Sequence, residues 1–308
     1  MRTDVAAMWD VYEHNSGFIA VKPTNISKQL YRMITSRKST RTDDQKAFNS
    51  AVEVMRKQNM GLKVTSLDED RFVNGRVYFA KPQRWLPSQR QKCVRKKDST
   101  CAVVVHNNWI VSKAAKIYRF REHLMWMYDG DDEYYTSNTR LYLTYINQQK
   151  YLFRAGRSGD KPAVAKQSEL SALRTAMTIG YVLNRTVILP KFHNGSESAE
   201  RLLSDVLPIK RFDEYLSGHY RESSFLFHPK VPANVKSGLS EQVLTAKFDN
   251  SFSPPPHVLY DVDIFRHFSN LRDRVLVFRD LYDVHVALKN SADDITFMNK
   301  LRRAVSRP

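Results

Sequence analysis

Short apolar strands alternating with helical patterns, a turn to acidic and small residues near position 130, and a renewed strand-helix-strand run after it predict an α/β protein. Its 308 residues, 42% of them apolar and 11% aromatic, suffice for two cores of ordinary size. Phe18-Ile19-Ala20-Val21 reads as a short buried strand, and Ser27 to Ile34 as a helix with Leu30, Tyr31 and Ile34 on one face. Asp43 to Gln58 forms a second helix carrying Phe48, Val52 and Met55. Leu62-Lys63-Val64 and Val77-Tyr78-Phe79 are further strands, and Ala102 to Val105 is the clearest strand of all. It feeds a helix from Ser112 to Met127.

The acidic, turn-forming stretch places a linker at 129–140, between a first unit at 1–128 and a second at 141–308. The second unit opens with a strand at Leu141 to Ile146, a helix from Ser168 to about Leu183 and a strand at Thr186 to Pro190. Arg274 to Phe278 repeats the strand pattern, and Asp293 to Val305 is a closing helix.

A formal charge of +17 calls for an anionic partner or a solvated basic surface, and by itself does not choose between them. Its densest stretch, Lys81 to Lys97, is broken by Pro82 and Pro87 and reads as a solvated loop, with a polyanion-binding loop as the alternative. Cys93 and Cys101 flank a polar segment that a disulfide could close. Asn25, Asn184 and Asn194 open Asn-x-Ser/Thr triplets, usable for glycosylation only in the secretory pathway. Neither a signal peptide nor a run of apolar residues long enough to cross a membrane is found in this sequence.

Three clusters carry candidate chemistry. Asn15-Ser16-Gly17 before a strand is an ordinary turn, or a place where Gly17 lets backbone approach a ligand and Asn15 offers an amide to a hydroxyl. Asp44-Gln45 with Asn49 groups a carboxylate and two amides on one helical face, able to hold sugar hydroxyls. The competing reading is a capping box from Thr42 to Gln45. His106-Asn107-Asn108 ends a strand, where open α/β sheets gather ligands; alternatively His106 only ends the strand and Asn108 caps the next helix.

Residues 1 to about 125 resemble the carboxyl half of the nucleotide-diphospho-sugar transferase family. The matching pieces are Asn15 to Thr24, Asp43 to Asn49, Leu67-Asp68 with Phe72-Val73-Asn74-Gly75, and Val105 to Asn108 with Lys113. The resemblance implies a partial glycosyltransferase A domain, Rossmann-like, using a nucleotide-diphosphate sugar as donor and a divalent metal, Mn or Mg. It implies that Asp44 and Gln45 lie near the reacting carbon and that His106 binds metal. It further implies that Asn15, Gly17, Asn49, Asn107, Asn108 and Lys113 shape the substrate side. Transfer to a glycan or glycoprotein acceptor with retention, in the Golgi lumen, is the expected activity. No nucleic-acid partner is expected.

The family's Asp-x-Asp strand and nucleotide turns precede the Asn-Ser-Gly cluster, yet only 14 residues precede Asn15 here. The expectation is a fragment, inactive alone, whose membrane anchor lies outside this chain. The alternatives are a catalytically inactive transferase-like scaffold and a basic protein binding RNA or acidic glycan. Asp261-Val262-Asp263 has the Asp-x-Asp form in the wrong order and reads as surface carboxylates. Gly156 to Lys161 lacks phosphate-loop spacing. Residues 141–190 bear a fainter likeness to fucosyltransferase-like proteins, in architecture only.

Overall fold

The computed structural model describes residues 3–37, 43–80, 102–127, 133–147, 161–192, 203–244, 257–279, 281–282, 284–289 and 291–305. Cys93, Cys101, Asn194, the basic stretch 81–97 and most of the Gly156 loop therefore lie outside the described residues. The architecture is mixed α/β with parallel pairing, as the alternating pattern predicts. Chain contacts divide it into two compact units, Met1–Ile110 and Val111–Pro308.

In the first unit, β1 (Val5–Asp10) pairs antiparallel with β2 (Glu13–Val21) and parallel with β3 (Val64–Ser66). Helices α1 (Asn25–Arg37) and α2 (Asp44–Lys57) join β2 to β3 and supply Leu30, Phe48, Ala51 and Met55 to a core with Val5 and Ala7. Phe48, Ala51 and Met55 recur at helical spacing, so one face of α2 is apolar while Lys57 lies on the opposite, polar side; Asp44 heads the apolar stripe but stays exposed in the first turn. The N-cap of α2 is Asp43, whose carboxylate accepts from the Lys46 amide at 2.7 Å. Gln45 does not close a capping box; its amide donates to Glu13 Oε1 at 2.9 Å.

β2 is longer than the predicted strand because it contains a bulge. Ala7 pairs with Ile19 but Met8 pairs with Asn15, so Ser16, Gly17 and Phe18 have no partner on β1. A second, two-stranded sheet pairs β4 (Phe72–Asn74) in parallel with β5 (Val104–His106). Between them, Val77-Tyr78-Phe79 is helical, not the predicted strand, and belongs to α3 (Gly75–Ala80). The cause is local: the Asn74 side chain accepts from the Val77 amide at 3.0 Å, which starts a helix directly after β4.

The second unit begins with α4 (Lys113–Glu122), shorter than the predicted helix because His123 caps it and Leu124 turns to φ 54°. After α5 (Glu133–Thr136) and β6 (Tyr142–Tyr145) comes the long α6 (Lys161–Val182) and β7 (Thr186–Ile188). Next are α7 (Leu203–Val206), α8 (Ile209–Leu216), β8 (Tyr220–Arg221), α9 (Ala233–Ser237) and β9 (Leu239–Gln242). β10 (His257–Tyr260), α10 (Asp261–Phe268), β11 (Val275–Phe278), β12 (Val284–Ala287) and α11 (Ala292–Val305) complete it. The principal sheet is wholly parallel, in the order β8-β7-β6-β11-β9; its inner strands β7, β6 and β11 are mainly apolar on both faces, as burial between helices requires, while the edge strand β9 is polar and partly exposed. Asp261 and Asp263 form the first turn of α10, where Asp263 pairs with Arg266.

Helix α4 belongs to this core. Tyr118 packs on Tyr220, Glu122 accepts from the Leu203 amide, and the Arg121 carbonyl accepts from Ser224. The contact division at Ile110/Val111 thus falls ahead of the acidic stretch at 129–140 that composition singles out as a linker. Among the described residues no helix is long and apolar enough to cross a membrane.

Candidate functional site

The bulge in β2, the start of α2 and the end of β5 converge on one cavity of about 370 Å³ in the first unit. It is lined by Asp10, Asn15, Ser16, Gly17, Asp44, Gln45, His106, Asn108 and Trp109. Three clusters separated by up to ninety residues of chain therefore share one wall.

Their junction is Asp10, the last residue of β1 and 6% exposed. Its Oδ2 accepts from Asn15 Nδ2 and from Asn108 Nδ2, both at 3.0 Å, and its Oδ1 accepts from Trp109 Nε1 at 2.6 Å. One carboxylate thus holds the first cluster, the third cluster and an indole in fixed relation. Asn15 also accepts from the Gly17 amide at 2.7 Å, which closes the bulge on itself. Asn108 Oδ1 accepts from the Gly75 amide at 2.7 Å. These bonds make Asn15 and Asn108 positioning residues whose amides hold the wall of the cavity.

Gly17 and Gly75 are needed for close approach. A Cβ on Gly17 would lie 2.9 Å from Asn15 Oδ1 and 3.0 Å from His106 Cε1, so glycine here lets His106 reach the bulge. On Gly75 it would lie 2.6 Å from the Asn108 carbonyl and 2.9 Å from its amide nitrogen, and backbone cannot swing aside. Gly75→Ala is expected to destabilise the first unit by about 1–3 kcal/mol, the usual range for overpacking. Hydrogen exchange at the β5 amides is the measurement; unchanged protection there would contradict the packing described.

Asp44 is exposed in the first turn of α2, and Gln45 is half-buried with its carboxamide toward Glu13. Asn49 is outside the cavity lining: its amide exchanges hydrogen bonds with the backbone of His14, at 3.1 and 2.7 Å, and donates to the Gln45 carbonyl. Asn107 is buried and is likewise not in the lining. Lys113 opens α4 in the second unit and is exposed there. Asn25 is exposed at the start of α1, and Asn184 is exposed after α6 at φ 50°.

Asp10 and Trp109 left no mark in the sequence. Asp10 ends a strand defined by pairing with residues 13–21 and 64–66, and a lone Asp after Trp9 has no local signature. Trp109 follows the His-Asn-Asn cluster directly, and its φ of 56° is what turns its ring toward the cavity wall. Among the described residues no group of three or more His, Cys, Asp or Glu is placed to hold a metal ion. Within the cavity, the Asp10 carboxylate already accepts three hydrogen bonds, so His106 and Asp10 do not make the donor set that a divalent cation requires.

The second unit has a larger cavity, about 1330 Å³. It is lined by Arg140 and Leu141 before β6, Asn184 and Arg185 before β7, and Gly218 and His219 before β8. That is the amino end of the parallel strands, whereas open α/β sheets bind ligands at the carboxyl end. Arg185 is a strut there, donating to the carbonyls of Tyr142, Leu271 and Asp273 at 2.7–3.1 Å. Size alone does not make this cavity the functional one.

No curated protein and no solved structure matches the chain. Residues 2–120 match the family model described as nucleotide-diphospho-sugar transferase, which supports a function of the glycosyl-transfer type. That match takes in every residue of the smaller cavity, so the N-terminal region of this chain, and the cavity with it, is similar to the nucleotide-diphospho-sugar transferases.

Proposed function

We propose that the cavity around Asp10 is the sugar-facing side of a glycosyl-transfer site, using a nucleotide-diphosphate sugar as donor and a glycan or glycoprotein as acceptor. The observation that carries this reading is the convergence of residues 15–17, 44–45 and 106–108 on one cavity inside the matched region. Glycosyl transfer needs hydroxyls held, a cationic anomeric centre supported, and a departing phosphate met by a polar group already in place. Asp44 supplies negative charge beside the sugar, Gln45 an amide for its hydroxyls, and His106 an imidazole at the end of β5 for a phosphate oxygen. Asn15, Asn108 and Asp10 hold these groups in register so that they need not reorganise during reaction. Retention of configuration and residence in the Golgi lumen belong to the same proposal.

In the full-length protein, His106→Ala and Gln45→Ala are each expected to lower transfer from a sugar nucleotide by about 100-fold, the usual effect of removing one preorganised polar group. Transfer that survives both replacements would defeat the assignment. Polyanion binding that falls steeply with salt and is indifferent to His106→Ala would instead favour the charge of +17 as the functional feature.

A further inference from the structure

We infer that Trp109 is the stacking platform of this cavity, the surface on which one face of a neutral sugar ring lies, and that Asp10 is the positioning residue that sets it. This rests on the glycosyl-transfer reading and adds to it a residue that none of the three clusters contains.

Trp109 is 50% exposed although it borders a cavity whose other walls are mainly polar. Its backbone sits at φ 56°, a region that bulky side chains avoid and that persists only where surroundings impose it. Those surroundings are visible. The indole N–H donates to buried Asp10 at 2.6 Å, and the Arg76 guanidinium lies 5.1 Å from the ring centroid. The ring is thus held by its backbone, by its polar edge and by a cation over its π system.

An indole whose N–H is already satisfied has only its π surface to offer a ligand. The C–H groups on one face of a pyranose carry slight positive charge and pack on such a surface. Hydroxyls at the ring edge then reach Asp44, Gln45 and His106, which share the cavity lining. A nucleobase stacks on tryptophan as well, but it lacks the ring-edge hydroxyls for which Asp44, Gln45 and His106 supply partners, so the lining favours a sugar ring at this position.

The test uses the whole chain and three probes: methyl α-D-galactopyranoside, methyl α-D-xylopyranoside and uridine. Saturation-transfer NMR is expected to show transfer to the C–H protons of at least one glycoside, and nuclear Overhauser contacts to an indole that disappears in Trp109→Phe. Trp109→Phe keeps a ring and should retain glycoside binding within about threefold, whereas Trp109→Leu, of similar bulk but without a π face, should lose it more than tenfold. Asp10→Asn should weaken glycoside binding while Trp109 remains present, as a positioning role requires. Absence of transfer to either glycoside in the wild-type chain, equal binding by Trp109→Leu, or transfer to uridine alone overturns the inference. If glycosides bind through Trp109 while transfer by the full-length protein is indifferent to His106→Ala and Gln45→Ala, the platform stands and the catalytic reading fails.

Discussion

Asp10→Ala is expected to destabilise the first unit by about 3–5 kcal/mol, more than replacement of any other residue lining the cavity. Three donors, on Asn15, Asn108 and Trp109, lose their acceptor at once; the buried Asn15 amide left unpaired costs about 1–3 kcal/mol, and Asn108 and Trp109, which water can reach, add their lost charge-assisted bonds. Partial relaxation and water entry keep the total below the simple sum. Asp10→Asn preserves shape but points an amide N–H₂ at donors, so it should recover less than half of the loss. Opening free energies from hydrogen exchange at β1 and β5 amides read the first unit separately from the second. Asp44→Ala, at an exposed position on the same cavity, should leave those amides unchanged while reducing ligand binding. Equal protection in Asp10→Ala and wild type would show that the carboxylate does not organise the site.

The second large effect lies at Glu222, which follows β8 and is fully buried. It accepts from Tyr134 Oη at 2.6 Å and from Tyr135 Oη at 2.8 Å. Burial, with Glu222 beside them, raises both tyrosines above their ordinary range, so both remain protonated donors. The Arg121 and Arg221 guanidiniums lie 3.5 and 4.0 Å from the Tyr134 ring centroid, and Arg221 is itself 3% exposed. Glu222→Ala removes the acceptor shared by both tyrosine hydroxyls and a buried negative charge beside Arg221. The expected loss is about 3–5 kcal/mol, the range for breaking a buried charged network by removing one partner. Glu222→Gln, which keeps an acceptor oxygen, should lose roughly 1–3 kcal/mol. Denaturation followed at β7 and β8 amides checks both values, and a shift under about 0.5 kcal/mol for Glu222→Ala would contradict the network.

Elements with strong local signals were legible in the sequence. Helix α2 was readable within a residue or two at each end because Phe48, Val52 and Met55 repeat at helical spacing and an Asp cluster precedes them. The order of the β6–α6–β7 run was legible too, since its strands are short continuous apolar stretches flanked by polar turns, but α6 begins at Lys161, seven residues ahead of the predicted start at Ser168. What escaped depends on partners distant in sequence. β1 is a strand because β2 and β3 pair with it, and Val5 to Met8 has no alternation that separates strand from helix. Val77-Tyr78-Phe79 has strand-like composition, yet the side chain of Asn74 and the freedom of Gly75 commit it to a helical turn. At the site, order along the chain was enough to group residues 15–17, 44–45 and 106–108. It could not reveal that Asp10 joins the first and third of these clusters, nor that Asn49 faces backbone instead of the cavity.

Helix α4 answers to two sets of constraints. Residues 113–120 lie inside the stretch that matches the transferase model, yet their side chains complete the core of the unit that follows. A substitution at Tyr118 that suits a free-standing transferase end would take one aromatic neighbour from Tyr220, leaving Phe212 packed on it. Evolution of this helix is therefore coupled to a region outside the match, and separate production of the two parts calls for a cut between Ile110 and Val111. Cutting in the acidic stretch would strip the second part of the ring and hydrogen bonds that α4 provides, and would send that helix away with the wrong half.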